Sequence, residues 1–415
     1  MYSKSPDIIL NRPIRCPPAM TLTIGIDKGD LRGSDGKIIQ AGVDYLGRLG
    51  GGILQILPGQ YTLTNFIYAH SNVTIRGCGE QTILKKADGF SSPLVRETDW
   101  CEYGAKVKDT SGFVPGGSIM LRSKKDDGTS DYDIHRATVT QIDGNFIFFI
   151  PMPKANFPPE KNATADTIFP LIYAEHVDNV RIEDLVLDGN GENNRHCDGN
   201  YTGAVFTQSC NRWQFKNVTA KNYNGDGFSF QVCDDFAFEN CLAIDNADLG
   251  FHPGSGSQRP ILKNCKANRN GEGFFFCWDV TDGIVENCES CGNKKYGINF
   301  GHRDTDNIVK NCLIEDNGEI GILFREETPE FKSAHRNRIE KCLIINNGNK
   351  ANGVNIEIAN GTDGTIICDN RIENTLPKNK CVGIRICSNA GQCCIENNSF
   401  VGCSVEIEDL RRKVQ

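Results

Sequence analysis

The sequence predicts an all-β solenoid in which parallel strands stack in coils of about 23 residues. Short alternating strands begin at glycines 23 or 24 residues apart, namely Gly203, Gly227, Gly250, Gly273, Gly297 and Gly321. Asparagines that each precede a cysteine keep the same period, at Asn240, Asn264, Asn287 and Asn311. So short a repeat leaves no room for a helix, and the leucine-rich repeat pattern is missing. Stacked parallel strands, one coil per repeat, are the remaining solution.

Composition and charge exclude several classes of protein. The apolar residues make up 39% of the 415 residues and the charged residues 24%, which is enough for a folded core. The net charge is −8 and no Lys/Arg-rich block occurs, so we expect no nucleic-acid partner. No apolar run is long enough for a membrane span. Residues 1–20 lack the apolar centre of a signal peptide, so we expect a cytoplasmic protein, or a secreted one if a leader has been removed.

The 19 cysteines are predicted to be structural rather than disulfide-bonded or metal-binding. One CxxC occurs, at Cys288 to Cys291, with no second pair or histidines at zinc-site spacing. Cysteines at the repeat period are expected to fill the interior as small apolar residues. They are Cys241, Cys265, Cys288, Cys312 and Cys342. Another set of asparagines recurs at equivalent positions of successive repeats, and their side chains are expected to hydrogen-bond to the backbone of turns and to one another. They are Asn246, Asn270, Asn293, Asn317 and Asn347.

The chain upstream of the repeats predicts a cap and an insertion. Apolar residues at helical spacing predict a helix over Lys37 to Leu49, stopped by Gly50 to Gly52 and suited to cover the solenoid's open end. We therefore assign residues 1–65 to an N-terminal segment and cap, 66–89 to the first coils and 173–410 to regular coils, with a tail at 411–415. Residues 90–172 lose the repeat and alternate instead, which predicts an inserted antiparallel β element.

With these features the chain resembles the right-handed parallel β-helix proteins of the pectate-lyase-like superfamily, over roughly residues 33–410. Leu249 to Gly254 (LGFHPG) and Gly271 to Asp279 (GEGFFFCWD) locally resemble the catalytic region of mannuronan C5-epimerases, whose motif is YGFDPH. Gly250, Phe251 and Pro253 match that motif, whereas His252 stands in place of its aspartate. The resemblance implies a right-handed parallel β-helix that acts on carbohydrate, without naming the reaction.

Polar residues gather where the Gly-led strands end. Alternate residues of these strands face outward, and the following turns of neighbouring coils should lie a few ångströms apart. We expect Asp304, Glu327, Asp279, His302 and His252 to be catalytic. Substrate binding is expected from Trp278, whose indole suits a sugar face, and from Arg303, Arg325, Gln231, Gln258 and Glu326.

The spacing of the acids favours glycoside hydrolysis. Asp304 and Glu327 are one repeat apart, about 4.8 Å, which is close to the pair of a retaining glycosidase. Asp279 and Glu327 are two repeats apart, about 9.6 Å, as in an inverting pair. The alternative is a polysaccharide lyase or C5-epimerase, in which arginines neutralise a uronate while His252 or His302 takes the C5 proton.

Other interpretations stay open at this stage. A non-catalytic glycan-binding β-helix is the alternative from another class. Asp304 can instead cap a turn, Asp226 precedes Gly227 in a turn-forming pair, and Arg325 with Glu326 and Glu327 can form a surface ion-pair cluster. We expect a poly- or oligosaccharide substrate, no cofactor or metal, with calcium unsupported by any motif, and a possible homo-oligomer.

Overall fold

The computed structural model describes residues 20–125, 132–348, 352–359, 361–377 and 380–411. The chain winds as a parallel β-helix, and each coil adds strands to the same sheets. Phe228 pairs with Phe251, and Phe251 pairs with Phe274, so residues one repeat apart lie directly over one another. The predicted period is therefore the coil of the solenoid. The predicted tail at 411–415 and the first part of the predicted N-terminal segment fall largely outside the described residues.

Within the described ranges, two sheets form the solenoid walls. The long sheet has 22 strands in two parallel ladders: Thr21–Gly25, Leu31–Arg32, Gly52–Ile56, Gly59–Leu63, Val73–Arg76, Thr82–Lys86, Arg181–Asp188, Gln214–Lys221, Ala237–Glu239, Leu242–Ile244, Ile261–Lys263, Lys266–Asn268, Ile284–Glu286, Glu289–Cys291, Ile308–Lys310, Leu313–Glu315, Arg338–Glu340, Leu343–Ile345, Thr365–Cys368, Arg371–Glu373, Cys393–Glu396 and Ser399–Val401. The second, here called the groove sheet, has 11 strands: Ile67–Tyr68, Ile172–Glu175, Gly203–Gln208, Asp226–Gln231, Leu249–Gly254, Glu272–Phe275, Tyr296–Phe300, Ile320–Phe324, Asn352–Ile358, Lys380–Ile386 and Val405–Asp409.

Stacked rows of like residues fill the interior. Phe228 and Phe251 stack with ring centroids 4.9 Å apart, and Phe274 continues the row at 5.1 Å from Phe251. The cysteines predicted to be structural are buried, and every described cysteine has a free thiol. Cys78 and Cys101 are exposed, so burial does not extend to all cysteines. The predicted asparagine column is a buried ladder, because Asn246 donates to Asn270 at 2.9 Å and Asn293 donates to Asn317 at 2.8 Å.

A helix covers the open end of the solenoid, as predicted. It spans Gly36–Arg48, and the carboxylate of Asp35 caps its first turn by accepting from the amides of Lys37 and Ile38. Its buried face consists of Ile39, Gly42, Val43 and Leu46. This is the one α-helix in the described part of the chain, and its 13 residues are too few to cross a bilayer. Three short 3₁₀ turns occur at Pro159–Lys161, Gly191–Asn193 and Glu330–Lys332.

The predicted insertion is a six-stranded antiparallel sheet, here called the inserted sheet. Its strands are Ser91–Pro93, Gly104–Lys106, Ser118–Lys124, Tyr132–Asp143, Phe146–Ile150 and Thr164–Asp166. It has its own small core, which includes Ile119, Phe149 and Phe157. The solenoid resumes at Ile172, which pairs with Ile67 in the groove sheet. The insertion thus lengthens one coil without changing the stacking on either side.

Candidate functional site

The outer face of the groove sheet and the turns that follow its strands carry two adjacent clusters of polar side chains. We call them the Trp278 patch, made of Trp278, Asp279, His302, Arg303, Arg325 and Glu327, and the His252 pocket, which lies nearer the N-terminal end. The two clusters share a wall, because the guanidinium carbon of Arg325 lies 4.5 Å from the ring centroid of Phe275, and Phe275 lines the pocket. The solenoid period brings these distant sequence positions together.

The Trp278 patch gathers side chains from three successive coils. The indole of Trp278 stacks on the His302 imidazole with centroids 4.2 Å apart and ring planes 8° apart. The His302 amide donates to Glu327 at 3.1 Å, and the His302 Nδ1 atom lies 3.5 Å from the same carboxylate. Arg303 Nε lies 3.7 Å from Asp279 Oδ1. Five of the predicted site residues therefore form one continuous surface.

Trp278 is both exposed and held in an uncommon backbone conformation. Its φ is +60°, a region that bulky side chains rarely adopt, and its side chain is 54% exposed. Since His302 covers one face of the indole, the other face is open to a ligand. Burial lowers the pKa of His302, so the ring favours its neutral form beneath the indole. Strain of this kind tends to persist where it serves a binding surface.

Asp304 does not face the groove, and the expectation that it supplies an accessible acid is wrong. Its carboxylate is fully buried and accepts from the amides of Gly301 at 2.7 Å and Val280 at 3.0 Å. Burial raises its pKa to about 7, even though Arg325 lies 3.8 Å away. The side chain ties two turns together. The one-coil acid pair with Glu327 thus lacks an accessible partner.

Arg325 is also held by the protein. Its guanidinium donates to the carbonyl of Phe276 at 3.2 Å and to the amide oxygen of Asn299 at 2.9 Å. Asn299 in turn donates to Glu272 Oε2 at 2.8 Å. Arg325 Nε lies 3.8 Å from Glu327. A chain of polar contacts therefore connects the Trp278 patch with Glu272 in the His252 pocket.

The three remaining predicted binding residues lie at different depths. Gln231 is buried and donates to the hydroxyl of Ser229 at 3.0 Å. Gln258 supports the turn below the patch, because its amide nitrogen donates to the carbonyl of Asp279 at 2.7 Å. Glu326 is exposed in the turn that follows the strand Ile320–Phe324. Of these three, only Glu326 is exposed to solvent.

His252 faces outward, as predicted, but it is buried beneath neighbouring groups. Its Nδ1 atom lies 2.7 Å from Asp226 Oδ2, and the side chains are 2% and 0% exposed. Its other ring nitrogen, Nε2, is buried and has no hydrogen-bond partner among the described residues. The ring meets Phe275 edge to face at 5.4 Å. An oriented imidazole with one unused nitrogen is the arrangement expected of a group that acts on a ligand.

The electrostatics of this pair favour an ion pair at neutral pH. Burial lowers the pKa of His252, but the charge and hydrogen bond of Asp226 outweigh it and raise the value to about 10. Burial raises the pKa of Asp226 to about 6, which still leaves the carboxyl ionised at neutral pH. His252 is therefore an imidazolium whose Nε2–H is its free donor.

The pocket next to His252 has a volume of about 330 Å³. Its lining includes Asp226, His252, Glu272, Phe275, Cys277 and Lys295. Glu272 is largely buried, and burial raises its pKa despite the amide of Asn299 and the charge of Lys295. A carboxyl group of this kind binds and releases protons nearer neutral pH than an exposed one.

A loop forms one edge of the pocket. Gly199 lies so close to Asp226 that a Cβ at this position would be 1.8 Å from the carboxylate, so only glycine fits. Ser229 donates to the Gly199 carbonyl at 2.8 Å. His196 is tied to Asp248 across 2.7 Å at the same edge. The loop before the regular coils therefore reaches the groove and shields the buried pair.

Sequence reasoning missed several residues of this pocket. The sequence indicates a turn at Asp226 and assigns no chemical role to Glu272, Cys277 or Lys295. A signal was present, since Asp226 lies about one coil before His252 and Glu272 about one coil after Leu249. Within the described part of the chain, no group of three or more His, Cys, Asp or Glu side chains is arranged to hold a metal ion.

Comparisons with known proteins agree on the architecture. Residues 202–333 match the family model described as a right handed beta helix region. The A-modules of two mannuronan C-5 epimerases of Azotobacter vinelandii are similar in structure, AlgE6 with a TM-score of 0.59 at 15% identity and AlgE4 with 0.56 at 14%. Each match covers 94% of this chain and 100% of the A-module.

The same architecture also occurs in a bacterial surface adhesin. The Streptococcus pneumoniae surface protein and adhesin PfbA matches with a TM-score of 0.51 at 11% identity, covering 91% of this chain and 97% of PfbA. A search of curated proteins finds no match. At these identities the likeness shows the fold alone. The predicted right-handed parallel β-helix is confirmed.

Proposed function

We propose that the protein is a carbohydrate-active enzyme that moves the C5 proton of uronate residues in an acidic poly- or oligosaccharide, as a polysaccharide lyase or a C5-epimerase does. The observation that carries the proposal is the buried His252–Asp226 pair: the Nε2 atom of His252 has no hydrogen-bond partner among the described residues, and His252 and Glu272 line the same pocket. A cationic donor beside a proton-accepting carboxyl group is what C5 chemistry requires.

His252 would bind the uronate carboxylate. Removal of a proton next to a carboxylate builds negative charge on that group, and a fixed cationic donor stabilises it most in the transition state. The imidazolium held by Asp226 supplies such a donor at Nε2. Lys295 adds positive charge to the pocket lining. This assignment reverses the role expected from the sequence, in which His252 takes the proton, because a charged imidazole cannot accept one.

Glu272 would exchange the proton with C5. A carboxylate is a weak base in water, and burial makes it stronger by disfavouring the ionised form. The pKa of Glu272 is raised in this way, and Asn299 holds one of its oxygens in place. Protonated Glu272 can give its proton to the leaving oxygen at C4, which completes elimination. Epimerisation needs a second proton donor on the opposite face of the sugar, because a proton returned to the face it left restores the starting configuration.

Glycoside hydrolysis is less well supported than the sequence suggested. Hydrolysis needs one protonated acid and one ionised carboxylate on either side of the bond. Asp304 is enclosed and bonded to backbone amides, so it cannot reach a substrate. Asp279 and Glu327 remain, two coils apart, as a candidate inverting pair at the Trp278 patch. That pair supports hydrolysis as the second candidate function.

The neighbouring surface suits a chain of sugars. The open face of Trp278 provides a platform for a pyranose ring, and Arg303 adds a charged group beside it. Structural likeness to mannuronan C-5 epimerase modules supports a uronate as substrate, as does the resemblance of LGFHPG to their motif. A glycan crossing the patch would place a neighbouring sugar unit over the His252 pocket.

Incubation in D₂O tests the proposal. Oligomannuronate, oligogalacturonate and a neutral gluco-oligosaccharide are each followed by NMR for deuterium at C5, by ultraviolet absorbance for a C4–C5 double bond, and by a reducing-end assay. We expect deuterium or absorbance with a uronate substrate only. Glu272→Gln should lower that rate by about 10²–10⁴.

Glu315→Gln is the matched control, because burial also raises the pKa of Glu315 but the residue lies on the long sheet. New reducing ends without C5 exchange or absorbance would favour the hydrolytic alternative. Binding without any turnover would leave the glycan-binding alternative and overturn the enzymatic proposal.

A further inference from the structure

A second cavity adjoins the His252 pocket on the side where the groove strands begin. We call it the Asn224 cavity, and its volume of about 600 Å³ is typical of cavities that bind small ligands. Its walls come from residues 190–192 and from turns that precede the groove strands, including those of Asn224 and Lys294. Ala247 and Lys294 line both cavities, so the two share a border.

The loop before the strand Gly203–Gln208 is held against the coil beneath it by backbone hydrogen bonds. The amide of Gly189 donates to the Lys221 carbonyl at 2.8 Å, and the amide of Cys197 donates to the Asn224 carbonyl at 3.1 Å. Residues 190–192 of this loop line the Asn224 cavity, and residues 198–200 line the His252 pocket. One loop therefore forms an edge of both cavities, and both are formed before a ligand binds.

Asn224 is a buried amide without partners. The residue is 7% exposed, and neither the oxygen nor the nitrogen of its side chain has a hydrogen-bond partner among the described residues. Asn246 and Asn270 differ, because each donates to the coil on one side or the other. An unpaired buried amide lowers the stability of a protein, so a nonpolar side chain of the same shape would suit the fold better. An amide both donates and accepts, which matches adjacent hydroxyl groups of a sugar.

Most charges of the lining are paired. Arg269 Nε lies 2.8 Å from Asp245 Oδ1, and Lys221 Nζ lies 3.6 Å from Asp188 Oδ2. Lys294 is exposed and forms no ion pair with any described residue. The charged groups of the lining that lack such a partner are Lys85, Glu192 and Lys294. Two of the three are cations, so the cavity favours an anionic ligand over a cationic one.

We infer that the Asn224 cavity is a second sugar subsite, in which Lys294 binds the carboxylate of a uronate unit that neighbours the one in the His252 pocket. Lys294 lines both cavities, and its flexible side chain suits a group that lies at their border. A hydroxyl group of the same unit supplies the hydrogen bonds that the Asn224 amide lacks. The choice of a uronate rests on the proposed function.

The positions of these sites fix the course of the glycan. The strand Leu249–Gly254 begins two residues after Ala247, at the Asn224 cavity, and carries His252. The strand Glu272–Phe275 ends shortly before Trp278. A glycan that occupies the Asn224 cavity, the His252 pocket and the Trp278 patch thus runs along the groove strands, across the solenoid axis. The reacting unit has bound neighbours on both sides, so the reaction occurs inside a chain rather than at its end.

Titration calorimetry tests the subsite without any turnover. The full chain is titrated with hexamers of mannuronate, of galacturonate and of neutral glucose. We expect Lys294→Gln to weaken binding of a uronate hexamer about tenfold and to change binding of the neutral hexamer little. Lys216→Gln is the matched control, because Lys216 is also exposed but pairs with Glu239 on the long sheet. Equal affinities of the wild type and Lys294→Gln for uronate hexamers, equal losses in the two lysine variants, or no binding of either uronate hexamer would overturn the inference.

Asn224→Leu distinguishes a ligand-binding amide from a structural one. Leucine keeps the branched shape and removes both polar atoms, so the midpoint of urea unfolding should stay unchanged or rise. Affinity for the uronate hexamer should fall about fivefold or more. Asn246→Leu is the contrasting variant, because the Asn246 amide donates to Asn270 at 2.9 Å and its loss should lower the midpoint. A lower midpoint in Asn224→Leu with unchanged affinity would assign this amide to the fold and remove it from the subsite.

The course of the glycan is tested on the same hexamers in D₂O. NMR locates deuterium, or a new C4–C5 double bond, along the chain, and we expect reaction at internal units. Reaction confined to a terminal unit would overturn the assignment of the Asn224 cavity as a subsite. Binding that depends on Lys294 without any reaction at C5 would overturn the proposed function and leave the subsite standing, so the two failures are distinguishable.

Discussion

The Nδ1 atom of His252 lies 2.7 Å from the Oδ2 atom of Asp226, and neither side chain reaches the surface. Twenty-six residues separate the two in sequence, slightly more than one coil, so the solenoid itself places the acid behind the imidazole. A buried ion pair is costly unless its remaining groups are used. The Nε2 atom of His252 is unused, and His252 lines the pocket. A ligand in the pocket can therefore supply the hydrogen bond that the buried pair lacks.

Asp226→Asn should remove the charge that holds His252 protonated while keeping the side-chain size. Burial then acts on His252 unopposed, so its pKa falls and the cationic donor is lost at neutral pH. We expect the rate of C5 exchange at pH 7 to fall by about 10²–10⁴, with a smaller loss at lower pH. The measurement is deuterium incorporation between pH 5 and pH 8. Asp245→Asn, in a surface pair with Arg269, should change neither the rate nor its pH profile.

Trp278→Ala should weaken substrate binding without slowing the reaction of the bound substrate. The indole is held by its stack on His302 and presents one face to the groove, so its contact with a sugar contributes equally to the ground and transition states. We expect KM for a long oligosaccharide to rise about tenfold with kcat little changed. Steady-state kinetics measures both. Trp100→Ala provides the control, because Trp100 is also more than half exposed but belongs to the insertion. A similar rise in that variant would count against a binding platform at Trp278.

Much of the fold could be predicted because every coil must satisfy the same packing and hydrogen-bonding requirements. Each coil needs an inward asparagine to bond to the next, and each strand needs a small residue at its start, so Asn270 and Gly273 recur in register in the copies that follow. Apolar spacing and a glycine stop predict the helix over Lys37 to Leu49, and the observed helix spans Gly36–Arg48. The gathering of Trp278, His302 and Glu327 followed from the period alone.

The period could not predict which polar side chains are exposed. Asp304 and Arg303 are neighbours in the same turn, yet backbone amides draw the carboxylate inward while the guanidinium stays outside. His252 faces outward but is enclosed, because the loop through Gly199 lies against its partner. Contacts between a loop and a coil follow no period, so the pocket of His252 and Glu272 became visible only in three dimensions.

Asp304 should make the protein less stable as pH rises through the neutral range. Its folded pKa, about 7, lies above the ordinary value of 3.8, so the folded state holds a proton that the unfolded state has released. Stability from this group is complete below pH 4 and is lost as pH approaches 7. We expect the free energy of unfolding to fall by about 1–3 kcal/mol more between pH 5 and pH 7 in the wild type than in Asp304→Asn.

Urea unfolding at each pH measures this slope, so the absolute cost of the substitution does not matter. Asp306→Asn is the control, because Asp306 pairs with Arg336 and its pKa is lowered, which places its own effect below pH 4. Parallel pH profiles for the wild type and Asp304→Asn would contradict the protonated, buried state of this carboxyl group.

Asn293→Ala should destabilise the whole solenoid, because Asn293 occupies the middle of the buried amide ladder. Its side-chain oxygen accepts from the amide of Asn270 at 2.9 Å, and its nitrogen donates to the carbonyl of Ala267 at 3.0 Å and to Asn317 at 2.8 Å. Alanine leaves these partners buried and unpaired, and each such group costs about 1–3 kcal/mol.

We therefore expect the free energy of unfolding to fall by about 2–4 kcal/mol in Asn293→Ala. Asn264→Gly is the matched control, since Asn264 belongs to the outer, exposed asparagine row and glycine keeps its left-handed φ of +53°. Urea unfolding followed by circular dichroism should show a small change for Asn264→Gly. Equal losses in the two variants would mean that the inner ladder stabilises the coils no more than solvated turns do.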